Sequence, residues 1–195
     1  MPANRHFRLL LTPSPGAAVR GFTLIELLVV LTISAILLAV GVPIFQTSIA
    51  NMRATDAANS LVASIELARS EAIKRGEQVF ACRVESATAT ACAAAGGDWA
   101  AGWIVWSDVP NTGTADVPNE IDDNDRLQIQ GALGSAGQRA EVTLSAGNRL
   151  TFFPDGRVTP AVNFSVGYPT VAAAQAARCV RITGVGSIST ARGAC

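Results

Sequence analysis

The chain has 195 residues, of which 49% are apolar, and its equal numbers of basic and acidic residues give a formal net charge of zero. This length allows one domain of ordinary size in addition to a membrane segment. A neutral chain lacks the extended basic surface of proteins that bind nucleic acid over their whole length, so this class of protein is excluded. A local basic patch is not excluded.

The first element in chain order is a long apolar segment. From Leu27 to Phe45 there are 19 consecutive uncharged residues. As a helix rising about 1.5 Å per residue, they would span close to the roughly 30 Å of a bilayer core. Three arginines and no acidic residue lie before Gly21. By the positive-inside rule, the N-terminus stays in the cytoplasm and the rest of the chain is exported. Glu26 lies at the edge of the segment, where a carboxylate is costly in lipid, so we expect it to have a function.

The run Gly21-Phe22-Thr23-Leu24-Ile25-Glu26 resembles the N-terminus of type IV prepilins and type II secretion prepseudopilins. In that family a prepilin peptidase cuts after the glycine, here Gly21. The new N-terminal amine, here that of Phe22, is then methylated. The resemblance implies that Glu26 pairs with the N-terminal amine of a subunit during assembly. The alternative is that Glu26 merely lies at headgroup depth, where a carboxylate costs little. An ordinary secretory signal is a poorer match, because it would be shorter and cut beyond its apolar region. An anchor that is never processed would leave Glu26 unexplained.

These observations predict three parts of the chain, which are a leader peptide (1–21), the transmembrane half of a helix (22–45) and an exported domain (46–195). Pro43 should kink the helix rather than end it. Gly76 follows two basic residues and is the expected C-cap. The second half of the helix is amphipathic. Its apolar stripe consists of Leu61, Ile65, Ala68 and Ala72.

Short strand candidates follow the helix, separated by Gly, Asn, Asp and Pro. They are 78–84, 102–107, 127–130, 141–144, 149–153, 162–166 and 179–183. The tripeptide Pro154-Asp155-Gly156 predicts a turn that leads on to Val158. There is no alternation of strand and helix, so the order predicts an α+β fold in which one long N-terminal helix packs on antiparallel strands.

Three later segments resemble the minor pilin and pseudopilin family called GspH/FimT. They are Leu67–Gly76 (LARSEAIKRG), Gly102–Asp108 (GWIVWSD) and Leu150–Arg157 (LTFFPDGR). The resemblance implies a pilin-like fold and a minor type IV pilin of the FimT/FimU kind that helps to initiate or assemble a pilus. Its implied partners are the prepilin peptidase, other minor and major pilins, and the inner membrane. A minor pseudopilin of type II secretion is the alternative in the same class, and a DNA-binding pilin for natural transformation is the alternative in another class.

The exported part contains four cysteines, Cys82, Cys92, Cys179 and Cys195. An even number in an oxidising compartment predicts disulfides. Four cysteines allow three connectivities, of which we favour the neighbouring pairs, Cys82 with Cys92 and Cys179 with Cys195. A metal site is the weaker interpretation, because the spacing is not that of a zinc site and the one histidine, His6, lies in the leader. We expect no metal and no cofactor.

The sequence does not predict an enzyme. The part after the leader has no histidine, which is the usual general base. No nucleophile elbow, P-loop or dinucleotide fingerprint is present. Serine–lysine catalysis would need Lys74, the chain's one lysine, at a helix end where solvent keeps it protonated.

Two further features allow a binding function besides a plain structural one. The acidic segment Asp116–Asp125 offers carboxylate ligands for calcium, but it lacks the spacing and central glycine of an EF-hand loop. We interpret it as a surface loop, with calcium as the alternative.

Trp103 and Trp106 lie three positions apart in one strand, so they should face opposite sides and pack in the interior rather than stack on bases.

DNA-binding pilins of the FimT type carry a C-terminal Gly-Arg-x-Arg motif. Here the corresponding text is Gly186–Ser189 (GSIS), with serines in place of both arginines. Arg178, Arg181 and Arg192 are nearby and are the candidate DNA contacts, because phosphate contacts require charge more than sequence. Three arginines on a chain that is acidic after cleavage predict weak, salt-sensitive binding at best.

Overall fold

The computed structural model describes residues 21–86, 88–89, 91–94, 96–107, 126–134, 140–168 and 177–195. The chain forms two units, of which the first ends at Gly41 and the second is Val42–Cys195. One helix, α1 (Leu24–Arg75), contributes residues to both units and continues through Pro43. The predicted helix is therefore present, with its ends within two residues of those expected.

In the first unit, α1 is apolar on every side and all its side chains are exposed. The most apolar 18-residue window of the helix has a mean hydropathy of 2.7, and none of it is buried. By length and composition, α1 can cross a membrane. A helix that is apolar all round and not covered by its own chain requires an apolar environment from outside.

In the second unit, one face of α1 is buried. The buried residues recur every three or four positions, and they are Ala50, Ala54, Ala57, Ala58, Leu61, Ser64, Ile65, Ala68 and Ala72. This confirms the predicted apolar stripe. Most of these side chains are alanines, which allow the helix backbone to approach the strands closely. Gly76 ends the helix with a φ of 70°, and its N–H donates to the Ala72 carbonyl at 3.0 Å.

Nine strands follow α1 within the described residues. They are β1 (Val79–Arg83), β2 (Trp103–Trp106), β3 (Arg126–Gln130), β4 (Glu141–Leu144), β5 (Arg149–Phe152), β6 (Val158–Thr159), β7 (Val162–Gly167), β8 (Arg178–Ile182) and β9 (Ile188–Arg192). A short 3₁₀ helix, Trp99–Ala101, precedes β2. All seven predicted strands are confirmed. The sequence did not predict β9, and it predicted only the turn that leads into β6.

The strands form two antiparallel sheets rather than one. The first has the order β3-β2-β1-β5-β6 and the second has the order β4-β7-β8-β9. A main core lies between α1 and both sheets. It includes Leu61 and Ile65 from the helix, Phe152 from the first sheet, and Phe164 and Val180 from the second.

A second apolar cluster covers the other face of the first sheet. Its buried members are Phe80, Cys82, Val84, Ile104 and Trp106. Covered on both faces, β2 is buried at all four positions. By contrast, β7 alternates between buried and half-buried residues, as expected for a strand with one covered face.

The tryptophans belong to these two cores. Trp103 lies in the main core and Trp106 in the second cluster, which confirms that they face opposite sides of β2. Trp99 packs edge-on against Phe164, with 5.0 Å between ring centroids. Trp106 contacts Phe80 at 4.6 Å. All three indole rings are at most 2% exposed, so none can serve as a stacking platform for bases.

Candidate functional site

The start of α1 is fixed by Thr23. Gly21, Phe22 and Thr23 precede the helix and are not helical. The N–H of Glu26 donates to Thr23 Oγ1 at 3.2 Å, and the N–H of Leu27 donates to the Thr23 carbonyl, also at 3.2 Å. Thr23 is therefore the N-cap, which satisfies N–H groups that have no partner within the helix.

Glu26 lies in the first helical turn and is exposed. The order Thr-x-x-Glu is that of a capping box, in which the glutamate would also accept a hydrogen bond from the N–H of the cap residue. In the described part of the chain, only the threonine half of this box is formed. The carboxylate is therefore close to the positive end of the helix dipole and accessible to a group from outside the chain.

Gly21 and Phe22 make no packing contribution to the fold. A Cβ placed on Gly21 would meet no atom within 4 Å. Phe22 is 80% exposed. Neither a tight turn nor a close approach requires a glycine at position 21, so the structure of the chain itself does not explain this residue.

The four cysteines form two disulfides in the structure. Cys82 in β1 is joined to Cys92, with 5.7 Å between the Cα atoms. Cys179 in β8 is joined to Cys195 at the C-terminus, with 5.0 Å between the Cα atoms. These are the neighbouring pairs. The Cys82–Cys92 disulfide holds the segment after β1 against the second apolar cluster. The Cys179–Cys195 disulfide joins the last residue to β8, a central strand of the second sheet.

The segment at the end of α1 that resembles the GspH/FimT family contacts the later segments at Arg69. Its Nε donates to the carbonyl oxygen of Gly156 at 3.1 Å. Gly156 and Gly186 both have a φ of 80°. A Cβ on Gly186 would lie 2.1 Å from the Gly156 oxygen and 2.8 Å from Arg69 Nε. We call this contact of Arg69, Gly156 and Gly186 the arginine junction. Sequence reasoning missed it, although Gly156 and Gly186 both belong to segments that were singled out.

Two exposed ion pairs lie near this end of α1. Glu71 contacts Arg75 at 3.0 Å and Lys74 at 3.1 Å. The hydrogen bond from Arg75, followed by that from Lys74, lowers the pKa of the Glu71 carboxyl below its ordinary value. In the turn after β5, the hydrogen bonds from Arg157 lower the pKa of Asp155 in the same way.

The three candidate arginines for DNA do not form one patch. Arg178 and Arg192 lie directly opposite each other on β8 and β9. Along β8, Arg178 shares a face with Val180, which belongs to the main core, whereas Arg181 points to the other face. Arg178 donates to Thr55 Oγ1 on α1 at 3.1 Å. The structure thus brings two of the three arginines together and separates the third.

The candidate calcium segment, Asp116–Asp125, lies outside the described residues, so calcium binding there stays a prediction. Among the residues that are described, no group of three or more histidine, cysteine, aspartate or glutamate side chains could hold a metal ion.

Comparison with known proteins gives two family matches. Residues 57–186, two-thirds of the chain, match the model of the type II transport protein GspH. Residues 17–42 match the prokaryotic N-terminal methylation motif. Among curated proteins, none matches the chain.

The solved structures that are similar include two crystal forms of the type IV minor pilin FimU of Pseudomonas aeruginosa. Both are 20% identical to this chain and cover 70% of it. The match covers 87% of FimU with a TM-score of 0.48 in one form, and 91% with a TM-score of 0.46 in the other. The GspH match extends from the buried half of α1 to Gly186 of the arginine junction. The chain therefore belongs to the GspH family and carries the N-terminal methylation motif.

Proposed function

We propose that this chain is a minor pilin that takes part in the assembly of a type IV pilus and resembles the FimT/FimU pilins. The observation that carries the proposal is the division of α1. Its first half is apolar all round and uncovered, and its second half is packed into a folded unit. A helix of this kind is suited to move from a lipid bilayer into a helical filament core, because both environments cover the same apolar surface.

Processing by a prepilin peptidase would act at Gly21. This proposal is supported by the exposure of Gly21 and Phe22 and by the absence of any structural need for the glycine. A residue type that the fold does not require is explained by recognition from outside. Cleavage would make Phe22 the new N-terminus, and its amine would be the group that is methylated.

Glu26 would then set the position of the subunit in the filament. A carboxylate in an apolar environment is tolerated when it has a cationic partner. The accessible Glu26 carboxylate can receive the N-terminal amine of Phe22 from a neighbouring subunit. Only one axial position of the two helices brings this pair together, so the pair would favour the correct register over all others.

The proposed orientation of the chain in the membrane rests on charge and redox chemistry. The basic leader would remain in the cytoplasm, and the folded unit would lie in the periplasm. The two disulfides are consistent with that compartment, because disulfides persist in oxidising surroundings. The same arguments hold for a type II secretion pseudopilin, which is the alternative system for this chain.

The decisive experiment replaces Glu26 with alanine and follows both processing and assembly. We expect E26A to insert in the membrane and to be cut after Gly21, as read by mass spectrometry of the N-terminus, but to be lost from sheared filaments. Glu66→Ala is the matched control, because Glu66 is an exposed glutamate on the same helix. Normal recovery of E26A in filaments would contradict the proposed role. Recovery of wild type in secretion pseudopili but not in pili would favour the alternative system.

A further inference from the structure

The second sheet has two edge strands, β4 and β9, which differ in how their free sides are covered. On β4, the N–H of Val142 points away from β7 and donates to Asp98 Oδ1 at 2.7 Å. A side chain therefore occupies the place that another strand would take. On β9, four of the five residues are exposed and the fifth is half-buried. Within the described part of the chain, no hydrogen bond covers the free side of β9, which is therefore the open edge of this sheet.

The hydrogen bonds at the two ends of the β8–β9 ladder determine its pattern. The N–H of Thr183 donates to the Ser187 carbonyl at 3.0 Å, and the N–H of Gly193 donates to the Ala177 carbonyl, also at 3.0 Å. These two bonded pairs are separated by an even number of positions along each strand. Because hydrogen-bonded and non-hydrogen-bonded pairs alternate in an antiparallel ladder, every second pair between them is also hydrogen-bonded.

This pattern leaves every second residue of β9 with free backbone groups. Ser189 and Ala191 belong to the pairs that bond to β8. The residues whose N–H and C=O groups point away from β8 are Ile188, Thr190 and Arg192. Each of them can exchange two hydrogen bonds with one residue of a further strand. Proteins usually block such an edge with proline or a bulge, but β9 contains no proline and its register with β8 is continuous.

The charges on β8 and β9 indicate what kind of strand would fit this edge. Both strands carry arginines, and neither contains an acidic residue. Arg178 and Arg192 lie directly opposite each other, and like charges in this position destabilise a sheet. The side-chain hydrogen bonds of Arg178 go to neutral oxygens, those of Ala177 and Thr55. A carboxylate on a third strand, opposite Arg192, would compensate the repulsion between the two arginines.

The acidic residues of the neighbouring elements do not supply that carboxylate. Asp56 on α1 is exposed, but within the described residues it forms no ion pair with Arg178 or Arg192. Glu141 lies on β4, at the opposite edge of the sheet. Arg192 itself is exposed. Its guanidinium group is therefore accessible to an acidic side chain from outside the chain.

We propose that β9 binds an extended segment of a partner protein as an additional antiparallel strand. The segment would carry an acidic side chain opposite Arg192 and an apolar one opposite Ile188, the half-buried residue of β9. A second copy of this chain fits less well, because in the register that pairs the most residues each Arg192 would lie opposite Ile188 and neither charge would gain a partner. All residues of this edge belong to the second unit, so the interaction does not depend on a membrane.

The test uses the full chain in detergent and the blocked peptide Thr-Glu-Thr-Val-Thr-Ile-Thr, whose glutamate and isoleucine would lie opposite Arg192 and Ile188. Amide hydrogen exchange is followed by NMR. Without the peptide, the N–H groups of Ser189 and Ala191 should exchange slowly and those of Thr190 and Arg192 quickly. At a peptide concentration about ten times the dissociation constant, exchange at Thr190 and Arg192 should slow by about tenfold. Exchange at Ser189 and Ala191 should not change.

Two kinds of variant separate the backbone contribution from the charge. Thr190→Pro removes an outward N–H without removing a bond to β8, and it should abolish the protection at Arg192. Thr190→Val is the matched control, which keeps the N–H and should bind like wild type. Arg192→Glu should weaken binding of the peptide about fivefold, and it should favour by a similar factor a peptide with lysine in place of glutamate. Slow exchange at Ser189 and Ala191 shows that β9 remains paired in each variant.

Unchanged exchange at Thr190 and Arg192 in excess peptide, or equal binding by T190P and T190V, would overturn the inference. An R192E variant that does not change its preference between the two peptides would also overturn it, and this result is valid even if T190P does not fold. Protection that rises with the concentration of the chain alone would assign the edge to a second copy instead. Binding of double-stranded DNA that is weakened equally in R192E and R181E, without binding of either peptide, would assign the arginines to nucleic acid instead.

Discussion

Arg69 Nε donates to the carbonyl oxygen of Gly156 at 3.1 Å, although the two residues are 87 positions apart in the sequence. The hydrogen bond joins α1 to the turn after β5. Gly186, in the turn between β8 and β9 of the second sheet, packs against both the Arg69 side chain and the Gly156 carbonyl oxygen. Near it, the N–H of Val158 donates to the Gly184 carbonyl at 3.0 Å, which links the first sheet to the turn between β8 and β9. The arginine junction therefore joins the helix and both sheets at one point.

Gly186→Ala should destabilise the folded unit strongly. The new Cβ would lie 2.1 Å from a backbone oxygen, and the φ of 80° is already unfavourable for alanine. Gly147→Ala is the matched control, since Gly147 has a φ of 77° and an open neighbourhood. The control should lose about 1–2 kcal/mol of unfolding free energy from backbone strain alone. G186A should lose clearly more, as measured by urea unfolding of the full chain in detergent with the buried tryptophans as reporters. Equal losses would show that the close approach at Gly186 relaxes freely.

Arg69→Met should weaken the arginine junction while keeping most of the aliphatic side chain. Gly156 is buried, so its carbonyl would lose a charged donor without gaining access to water. The expected loss is about 1–3 kcal/mol of unfolding free energy, measured by the same urea titration. Arg75→Met serves as the control, because Arg75 makes an exposed ion pair that contributes little. If R69M and R75M were equally stable, the hydrogen bond to Gly156 would have no net effect on stability.

Stability should fall at acidic pH, in part through Glu71 and Asp155. The folded-state pKa of both carboxyls lies below the unfolded value. Their contribution is therefore complete above the ordinary pKa values of 4.5 and 3.8 and is lost as the pH falls through the lowered ones. The double variant E71Q/D155N should show a flatter decrease of melting temperature with falling pH than wild type. An identical slope in the wild type and the double variant would show that these ion pairs do not contribute to the acid response.

Removal of the Cys179–Cys195 disulfide by a double serine replacement should loosen the end of the chain. The disulfide closes a loop with a sequence separation of 16 residues, and such a loop corresponds to about 3 kcal/mol of stabilisation in the chain-entropy model. Four of the five residues of β9 are exposed, so packing contributes little there. Hydrogen exchange should accelerate in β9 and remain slow in β7. Unchanged exchange in β9 would mean that its pairing with β8 is sufficient without the disulfide.

The sequence was sufficient to predict α1 and seven strands, because the residue patterns of these elements are local. Leu61 and Ile65 repeat at helical spacing, and Trp103 and Trp106 alternate sides at strand spacing. It was not sufficient for β9, in which Ile188 is the one partly buried residue, because an exposed edge strand has no apolar pattern. The position of Arg192 beside Arg178 depends on the register of that strand, so the pairing of these two arginines could not be predicted.

The candidate site at the start of α1 was predicted from the fixed spacing of Gly21, Phe22 and Glu26 and from its resemblance to a known motif. The arginine junction was not predictable in the same way. Arg69 and Gly156 are far apart in sequence, and the sequence of neither segment indicates a contact with the other. Their contact requires the packing of α1 against both sheets.

The cap formed by Thr23 has a consequence for maturation. Among the residues that the structure describes, the hydrogen bonds that start α1 all lie on the C-terminal side of the bond between Gly21 and Phe22. A cut at that bond would therefore leave the helix with the same first turn, the same cap and the same carboxylate at Glu26. Maturation would therefore leave the hydrogen bonds at the start of the helix unchanged. What it changes is charge, since a neutral peptide nitrogen two residues from the helix becomes a cation near the positive end of the helix dipole.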